Sequence, residues 1–181
     1  MRMFIAIPLP TDVRRELSSA QQRLRILCPN GRFVPADNFH ITMHFIGEST
    51  DLAGAAHACD EAVRGIRPFV LRLADYGSFA RGQSRTGYIG LSGELPELNR
   101  LHETLVSALR SNGFPCGGAQ KRLTPHITLA RELTHEQASP EELHNLFSGS
   151  GAAFTANQLV LFESRNVAGR MVYMPLHKAM L

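Results

Sequence analysis

The chain has 181 residues, of which 44% are hydrophobic and 19% charged, a balance typical of a folded globular protein and not of a disordered one. Its longest apolar run, residues 3–9, is far shorter than the roughly 20 residues of a membrane helix and lacks the flanks of a signal peptide. A net charge of +3 is too small for a protein that coats long nucleic acids by charge alone. The three cysteines are far apart and odd in number, which argues against a disulfide framework or a zinc knuckle and leads us to expect a cytoplasmic protein.

The first half of the chain is predicted to fold as strand, helix, short extended piece, strand, helix and strand. Thr11 is suited to cap the first helix, and Asp12 suits the positive end of its dipole. Pro29-Asn30-Gly31 ends that helix as a turn. The six elements occupy residues 3–9, 11–28, 32–34, 40–47, 51–65 and 68–76.

The second half begins with a polar loop, residues 77–87, which carries Arg81 and Arg85. A short strand, a leucine-striped helix, a glycine-rich loop and a strand that starts at His126 follow it. Ser139 and Pro140 open a fourth helix, because serine caps and proline suits the first helical turn. The predicted short strand spans residues 88–91, the leucine-striped helix 96–112 and the glycine-rich loop 113–120. The histidine strand starts at 126, and two last strands span 154–162 and 171–176.

A histidine–x–threonine motif occurs twice. The first copy is His40-Ile41-Thr42-Met43 and the second is His126-Ile127-Thr128-Leu129. Both alternate polar and apolar residues, which predicts half-buried strands whose successive side chains point to opposite faces. Each strand would therefore present a histidine and a threonine on one face and pack its other face against a core.

Strict alternation divides the first strand further. It assigns His44 to the face of His40 and Thr42, where we expect it at the surface or lining the same space. It assigns Phe39, Ile41, Met43 and Phe45 to the opposite, apolar face.

The order of elements also repeats along the chain. Tyr88 follows Phe4 by 84 residues, His126 follows His40 by 86 and Phe154 follows Phe69 by 85. A nearly constant offset indicates an internal duplication, so we interpret the chain as one domain, 1–181, built from two related lobes. The lobes would span about 3–75 and 88–162, with 163–181 closing a sheet, and the two histidine strands would face each other across a cleft.

Two imidazoles on opposite sides of one phosphorus atom form an acid–base pair, because the ordinary pKa of histidine lies near neutral pH. Thr42 and Thr128, on the same faces, are placed to donate hydrogen bonds to phosphate oxygens. Arg131 is the nearest candidate for a phosphate-binding cation, although alternation puts it off the histidine face unless the strand bends. The scheme requires no metal.

The remaining candidates carry weaker signals. Arg32 and the pair Lys121-Arg122 precede the two motifs and either rim the cleft or are simply solvated. A zinc site at His40 and His44 is disfavoured, because metalloprotease ligands at that spacing lie on a helix and include a glutamate. A serine hydrolase is also disfavoured, since no G-x-S-x-G elbow is present.

Nearly the whole chain resembles the two-histidine phosphoesterases, and within them the RNA 2′,3′-cyclic phosphodiesterases, also called 2′-5′ RNA ligase-like proteins. The departures are small: Met43 and Ile46 stand where leucine is usual, and His44 stands where lysine is often found. The segments that carry the resemblance are 3–7, 32–33, 38–48, 125–131 and 159–164, with Gly169, Arg170 and Tyr173.

The resemblance implies an α+β fold in which two pseudo-twofold-related antiparallel sheets face a central cleft, with helices outside. It implies hydrolysis of a 2′,3′-cyclic phosphate at an RNA end to a 2′-phosphomonoester, without cofactor. His40 would be the proton donor and His126 the proton acceptor, although the pseudo-twofold makes the two roles nearly interchangeable. Thr42 and Thr128 would hold the phosphate. Substrate binding would involve Arg131, Arg32, Phe39 and Arg122.

Three alternatives remain open on the sequence. The same site would also serve a small cyclic nucleotide, or join a 2′,3′-cyclic end to a 5′-hydroxyl as a 2′-5′ RNA ligase. A non-enzymatic protein that binds RNA ends is disfavoured, because a binding cleft has no need of two matched histidines. The expected partner is RNA with a 2′,3′-cyclic phosphate end, such as a tRNA fragment, and we expect a monomer with no membrane association.

Overall fold

A computed structural model describes residues 1–116, 123–134, 138–147 and 151–181. These ranges contain four α-helices and nine strands, with one 3-10 turn, Ala36–Asn38, before the third strand. The helices are α1 (Thr11–Leu27), α2 (Leu52–Val63), α3 (Leu95–Ser111) and α4 (Pro140–His144). The strands are β1 (Arg2–Pro8), β2 (Arg32–Phe33), β3 (His40–Glu48), β4 (Phe69–Arg81), β5 (Ser84–Gly93), β6 (His126–Leu133), β7 (Ala153–Ala156), β8 (Gln158–Val167) and β9 (Arg170–Met180).

The strands form two antiparallel sheets, with orders β3-β1-β8-β9 and β2-β6-β5-β4-β7. The first sheet is strongly curled. The side-chain amide of Asn38, just before β3, donates to the carbonyl oxygen of Met171 on β9 at 2.7 Å, although the two strands lie at opposite edges of the sheet. The α+β class and the two antiparallel sheets predicted from the sequence are confirmed.

The helices cover the sheets with their apolar stripes. In α1 the buried residues follow helical spacing, and in α3 the predicted leucine stripe is buried in the same way. Helix α4 begins with the predicted cap: Ser139 accepts from the amide of Glu142, whose carboxylate accepts from the amide of Ser139. The buried residues of α1 are Val13, Leu17, Ala20 and Leu24.

The predicted polar loop over 77–87 is wrong. Strands β4 and β5 continue through it as a hairpin with a two-residue turn, in which Gly82 adopts a φ of 62°. The polar composition of the segment concealed its alternation. The hairpin carries Phe79 and Tyr88 towards the second histidine motif, as described below.

The predicted single strand over 154–162 is also wrong, because it is two strands in different sheets. Strand β7 pairs with β4, and β8 pairs with β1. The sheets therefore do not follow the two halves of the sequence: β4 lies in the sheet of the second histidine motif, and β8 lies in the sheet of the first. Each sheet takes strands from both repeats, an exchange that the sequence left undecided.

Candidate active site

His40 opens β3, and its ring is fixed at both nitrogens. Nδ1 lies 2.7 Å from the carbonyl oxygen of Asn38, which can only accept, so Nδ1 carries the hydrogen. Nε2 lies 2.9 Å from the hydroxyl oxygen of Thr42, two residues further along the same face. The neutral ring therefore keeps Nε2 as its proton-accepting atom, next to a hydroxyl that donates to it.

His126 opens β6 in the same way. Its Nδ1 donates to the carbonyl oxygen of Thr124 at 2.7 Å, again two residues before the histidine. This bond selects the tautomer in which Nε2 is free to exchange a proton. Thr128 lies two residues further along, so each motif presents one Nε2 and one hydroxyl.

Both histidine strands contain a β-bulge directly after the motif. In β3, Thr42 pairs with Ala6 and His44 with Ile5, which leaves Met43 as the extra residue. In β6, Thr128 pairs with Tyr88 and Ala130 with Gly87, which leaves Leu129 as the extra residue. Met43 and Leu129 are 86 residues apart, the offset of the two histidines, so the two bulges are equivalent.

The bulge in β6 answers the question about Arg131. After the extra residue, Ala130 turns to the buried face and Arg131 to the face of His126. Arg32 pairs directly with Arg131 and shares this face, because opposed residues of antiparallel strands project together. The Arg32 guanidinium lies 3.1 Å from the Glu132 carboxylate. Both arginines therefore border the histidine face, as the binding prediction requires.

The bulge in β3 overturns two assignments made by alternation. His44 pairs with Ile5, a fully buried core residue, so it turns away from His40. Its Nε2 lies 3.9 Å from the sulfur of Cys116, and burial lowers its pKa, with a further contribution from His102. Phe45 pairs with Phe4 instead and lies on the histidine face, where 65% of it is exposed.

Strands β3 and β6 contact each other although they belong to different sheets, which brings the two histidine faces together. Burial lowers the pKa of His40 to about 4, against the hydrogen bond to the Asn38 carbonyl, which raises it. The charges of Arg131 and His126 lower the pKa of His40 further. Since β3 and β6 are in contact and these charges act on His40, we take Arg131 and both histidines to border one space, which we call the cleft.

Each histidine also lies against two aromatic rings, which the sequence argument did not assign to the site. Ring centroids of Phe4 and Tyr173 lie 5.0 and 5.3 Å from His40. Those of Phe79 and Tyr88 lie 5.1 and 5.3 Å from His126. The available sequence signal for Phe79 was the alternation of residues 76–80, just before the turn at Gly82. The prediction of a loop over 77–87 obscured this signal.

Gly77 makes room for one of these rings. It pairs with Tyr88, and a Cβ built on Gly77 would lie 2.5 Å from Cζ of that ring. The absent side chain thus lets Tyr88 lie flat across β4, where it stacks on Phe79 at 4.4 Å.

A small pocket of about 70 Å³ adjoins His40. Its wall is part aromatic, from Phe162 and Tyr173, and part charged, from Arg14 and Asp37, whose side chains lie 3.4 Å apart. Burial raises the pKa of Tyr173, while the charges of Arg131 and Arg2 act in the opposite direction. The pocket therefore joins an aromatic wall to the Arg14–Asp37 ion pair beside His40.

The other predicted binding residues are placed differently. Phe39, the residue before β3, is 3% exposed and belongs to the core, and it also contributes to the wall of the pocket beside His40. Arg122, and Lys121 beside it, lie outside the described residues. Within the described ranges, no three His, Cys, Asp or Glu side chains are grouped to hold a metal ion. None of the helices in those ranges has the length and apolarity to cross a bilayer.

Comparison with known proteins assigns the family. Residues 10–168 match the 2′-5′ RNA ligase superfamily. The chain belongs to this superfamily. It is 30% identical over 180 residues to the RNA 2′,3′-cyclic phosphodiesterase of Escherichia coli, covering 98% of this chain and 94% of that protein. It is 30% identical over 135 residues to that of Thermotoga maritima, covering 72% and 70%.

Solved structures agree with this assignment. TT0787 of Thermus thermophilus superposes with a TM-score of 0.80 at 28% identity, covering 100% of this chain and 98% of that one. Escherichia coli LigT in complex with 3′-AMP superposes with a TM-score of 0.79 at 27% identity, covering 99% and 97%. This chain therefore has the same fold as LigT.

Proposed function

We propose that this protein is an RNA 2′,3′-cyclic phosphodiesterase that opens the cyclic phosphate to a 2′-phosphomonoester by paired-histidine catalysis. The observation that carries the proposal is the pair of equivalent motifs, in each of which Nδ1 of the histidine bonds the carbonyl two residues before it and leaves Nε2 for proton exchange. Relatives that cover nearly the whole chain bear this activity in their names, and LigT binds 3′-AMP.

The proposed reaction is an in-line displacement at phosphorus. Water attacks opposite the 3′-oxygen while His126 Nε2 takes its proton, and His40 Nε2–H gives a proton to the 3′-oxygen as its bond to phosphorus breaks. The 2′-oxygen keeps its phosphate. Thr42, Thr128 and Arg131 stabilise the negative charge that collects on the non-bridging oxygens.

The donor role requires a protonated His40, whereas its pKa in the unliganded site is about 4. Burial is the main cause of this low pKa, and the charges of Arg131 and His126 add to it. A phosphate anion bound between the motifs raises the pKa again, because it pairs with the imidazolium and offsets those two charges. Once protonated, Nε2 no longer accepts from Thr42, so the hydroxyl hydrogen of Thr42 is available for a phosphate oxygen and Nε2–H for the 3′-oxygen. Binding therefore prepares both groups together.

The test is a product analysis on an oligonucleotide with a 2′,3′-cyclic phosphate end, in excess chelator. We expect 2′-phosphate as the product and a loss of roughly 10²- to 10⁴-fold in rate for His40→Ala or His126→Ala. His57→Ala is the matched control, because His57 is exposed on α2, 3.6 Å from Glu61. Full turnover by the double His40/His126 alanine variant, or 3′-phosphate as the product, would exclude the mechanism.

A further inference from the structure

Phe45 is an exposed aromatic ring on the histidine face of β3 that the proposed chemistry does not use. It follows the bulge at Met43, and its ring centroid lies 6.1 Å from that of Phe4. Phe4 in turn lies 5.0 Å from His40 and stacks on Phe162 at 5.3 Å. The ring of Phe45 is thus the exposed end of a row of aromatic contacts that runs through the buried ring of Phe4 to His40.

Phe45 is also the pseudo-twofold counterpart of Arg131. The two residues are 86 positions apart, and each is turned onto the histidine face by the equivalent bulge. Arg131 acts electrostatically on His40 and Tyr173, which belong to the opposite sheet. The same backbone device that brings a phosphate-binding cation into the cleft therefore brings Phe45 there.

The surroundings of this ring suit a nucleotide. Arg2 precedes Phe4 by two residues on the same face of β1, and its charge is felt by Tyr173. An aromatic ring beside cations that track a phosphate backbone is the usual arrangement for single-stranded nucleic acid. The ring of Phe4 separates Phe45 from His40, so the occupant of Phe45 lies one group beyond the reacting end.

We propose that Phe45 stacks the nucleobase next to the terminal one and so makes the site selective for oligonucleotide ends over mononucleotides. The inference rests on the proposed function, because it takes the scissile phosphate to lie between the two histidines. A terminal cyclic nucleotide alone leaves Phe45 uncovered, whereas a dinucleotide covers it.

The experiment compares a 2′,3′-cyclic mononucleotide with a dinucleotide that ends in the same cyclic nucleotide. Phe45→Ala is expected to raise the KM of the dinucleotide roughly tenfold or more, the typical effect of losing one base stack, and to leave the mononucleotide unchanged. Phe45→Leu keeps an apolar side chain without a π face and should behave like alanine. Phe45→Trp should retain the dinucleotide KM.

Ile26→Ala is the control for removing an exposed apolar side chain, since Ile26 is 80% exposed on α1. Equal changes in KM for both substrates, or no change for the dinucleotide, would overturn the inference alone. Failure of the unmodified protein to turn over either substrate would overturn the proposed function, and this inference with it. Thermal unfolding of each variant verifies that the exposed substitution leaves the fold intact.

Discussion

The low pKa of His40 predicts a measurable loss of stability in acid, and His40→Gln isolates it. The pKa is about 4 in the folded protein, against 6.5 for an ordinary histidine. Between these values the unfolded chain binds a proton at this position and the folded one does not. The part of the free energy of unfolding that depends on His40 is therefore fully present above about pH 6.5 and is lost as the pH falls towards 4.

The magnitude follows from the same two values. One pKa unit corresponds to about 1.4 kcal/mol, so His40 should remove about 3 kcal/mol from the free energy of unfolding between about pH 7 and pH 4. Glutamine keeps a polar side chain but does not titrate, so its hydrogen-bond loss is the same at both pH values and cancels in the comparison.

The assay is urea denaturation of the unmodified protein and His40→Gln at both pH values. Burial also lowers the pKa of His44 and of His102, so both proteins lose stability in acid, and only the difference between them reports on His40. We expect the variant to lose about 3 kcal/mol less. An identical loss in the two proteins would refute the buried, neutral state of His40.

Three further outcomes test the site. Arg131→Ala should raise the pKa of His40, because the Arg131 charge lowers it; an unchanged histidine titration by NMR would remove Arg131 from the site. Thr128→Val should lower kcat roughly 10²-fold with little change in KM, and a KM effect alone would contradict a transition-state contact. Gly77→Ala should displace Tyr88 and lower kcat/KM, while a Gly65→Ala variant at a helix end should alter stability only, as tyrosine fluorescence and unfolding would show.

Much of the site was accessible without coordinates because its signals are local. The motif residues carry their own geometry: alternation sets the threonine two residues from the histidine on one face, and the carbonyl that fixes each imidazole is also two residues away. The constant offset of 84 to 86 residues linked the two copies. The start of α4 followed from its Ser139 cap and the extent of α1 from its apolar stripe, both of which are local signals. The predicted Thr11 cap is wrong, because Thr11 is the first residue of α1, Pro10 is the N-cap and no side chain caps the helix.

The errors concern features that depend on a partner strand. A bulge adds one residue against a neighbouring strand, so alternation within β3 cannot reveal that Met43 is the extra residue. For that reason His44 and Phe45 were placed on each other's faces. The break between β7 and β8 follows the same logic, because both strands are apolar and only their pairing shows that they lie in different sheets.

The sequence alone singled out the candidate groups, which are two histidines and two threonines in repeated motifs and a nearby arginine, and the α+β class of the chain. The tertiary structure decided the face of the neighbouring side chains: equivalent bulges turn Arg131 and Phe45 to the histidine faces of their strands, and four aromatic rings pack against the two histidines. The physical reason is that side-chain period is a property of one strand, whereas register, bulges and curl arise from hydrogen bonds between strands.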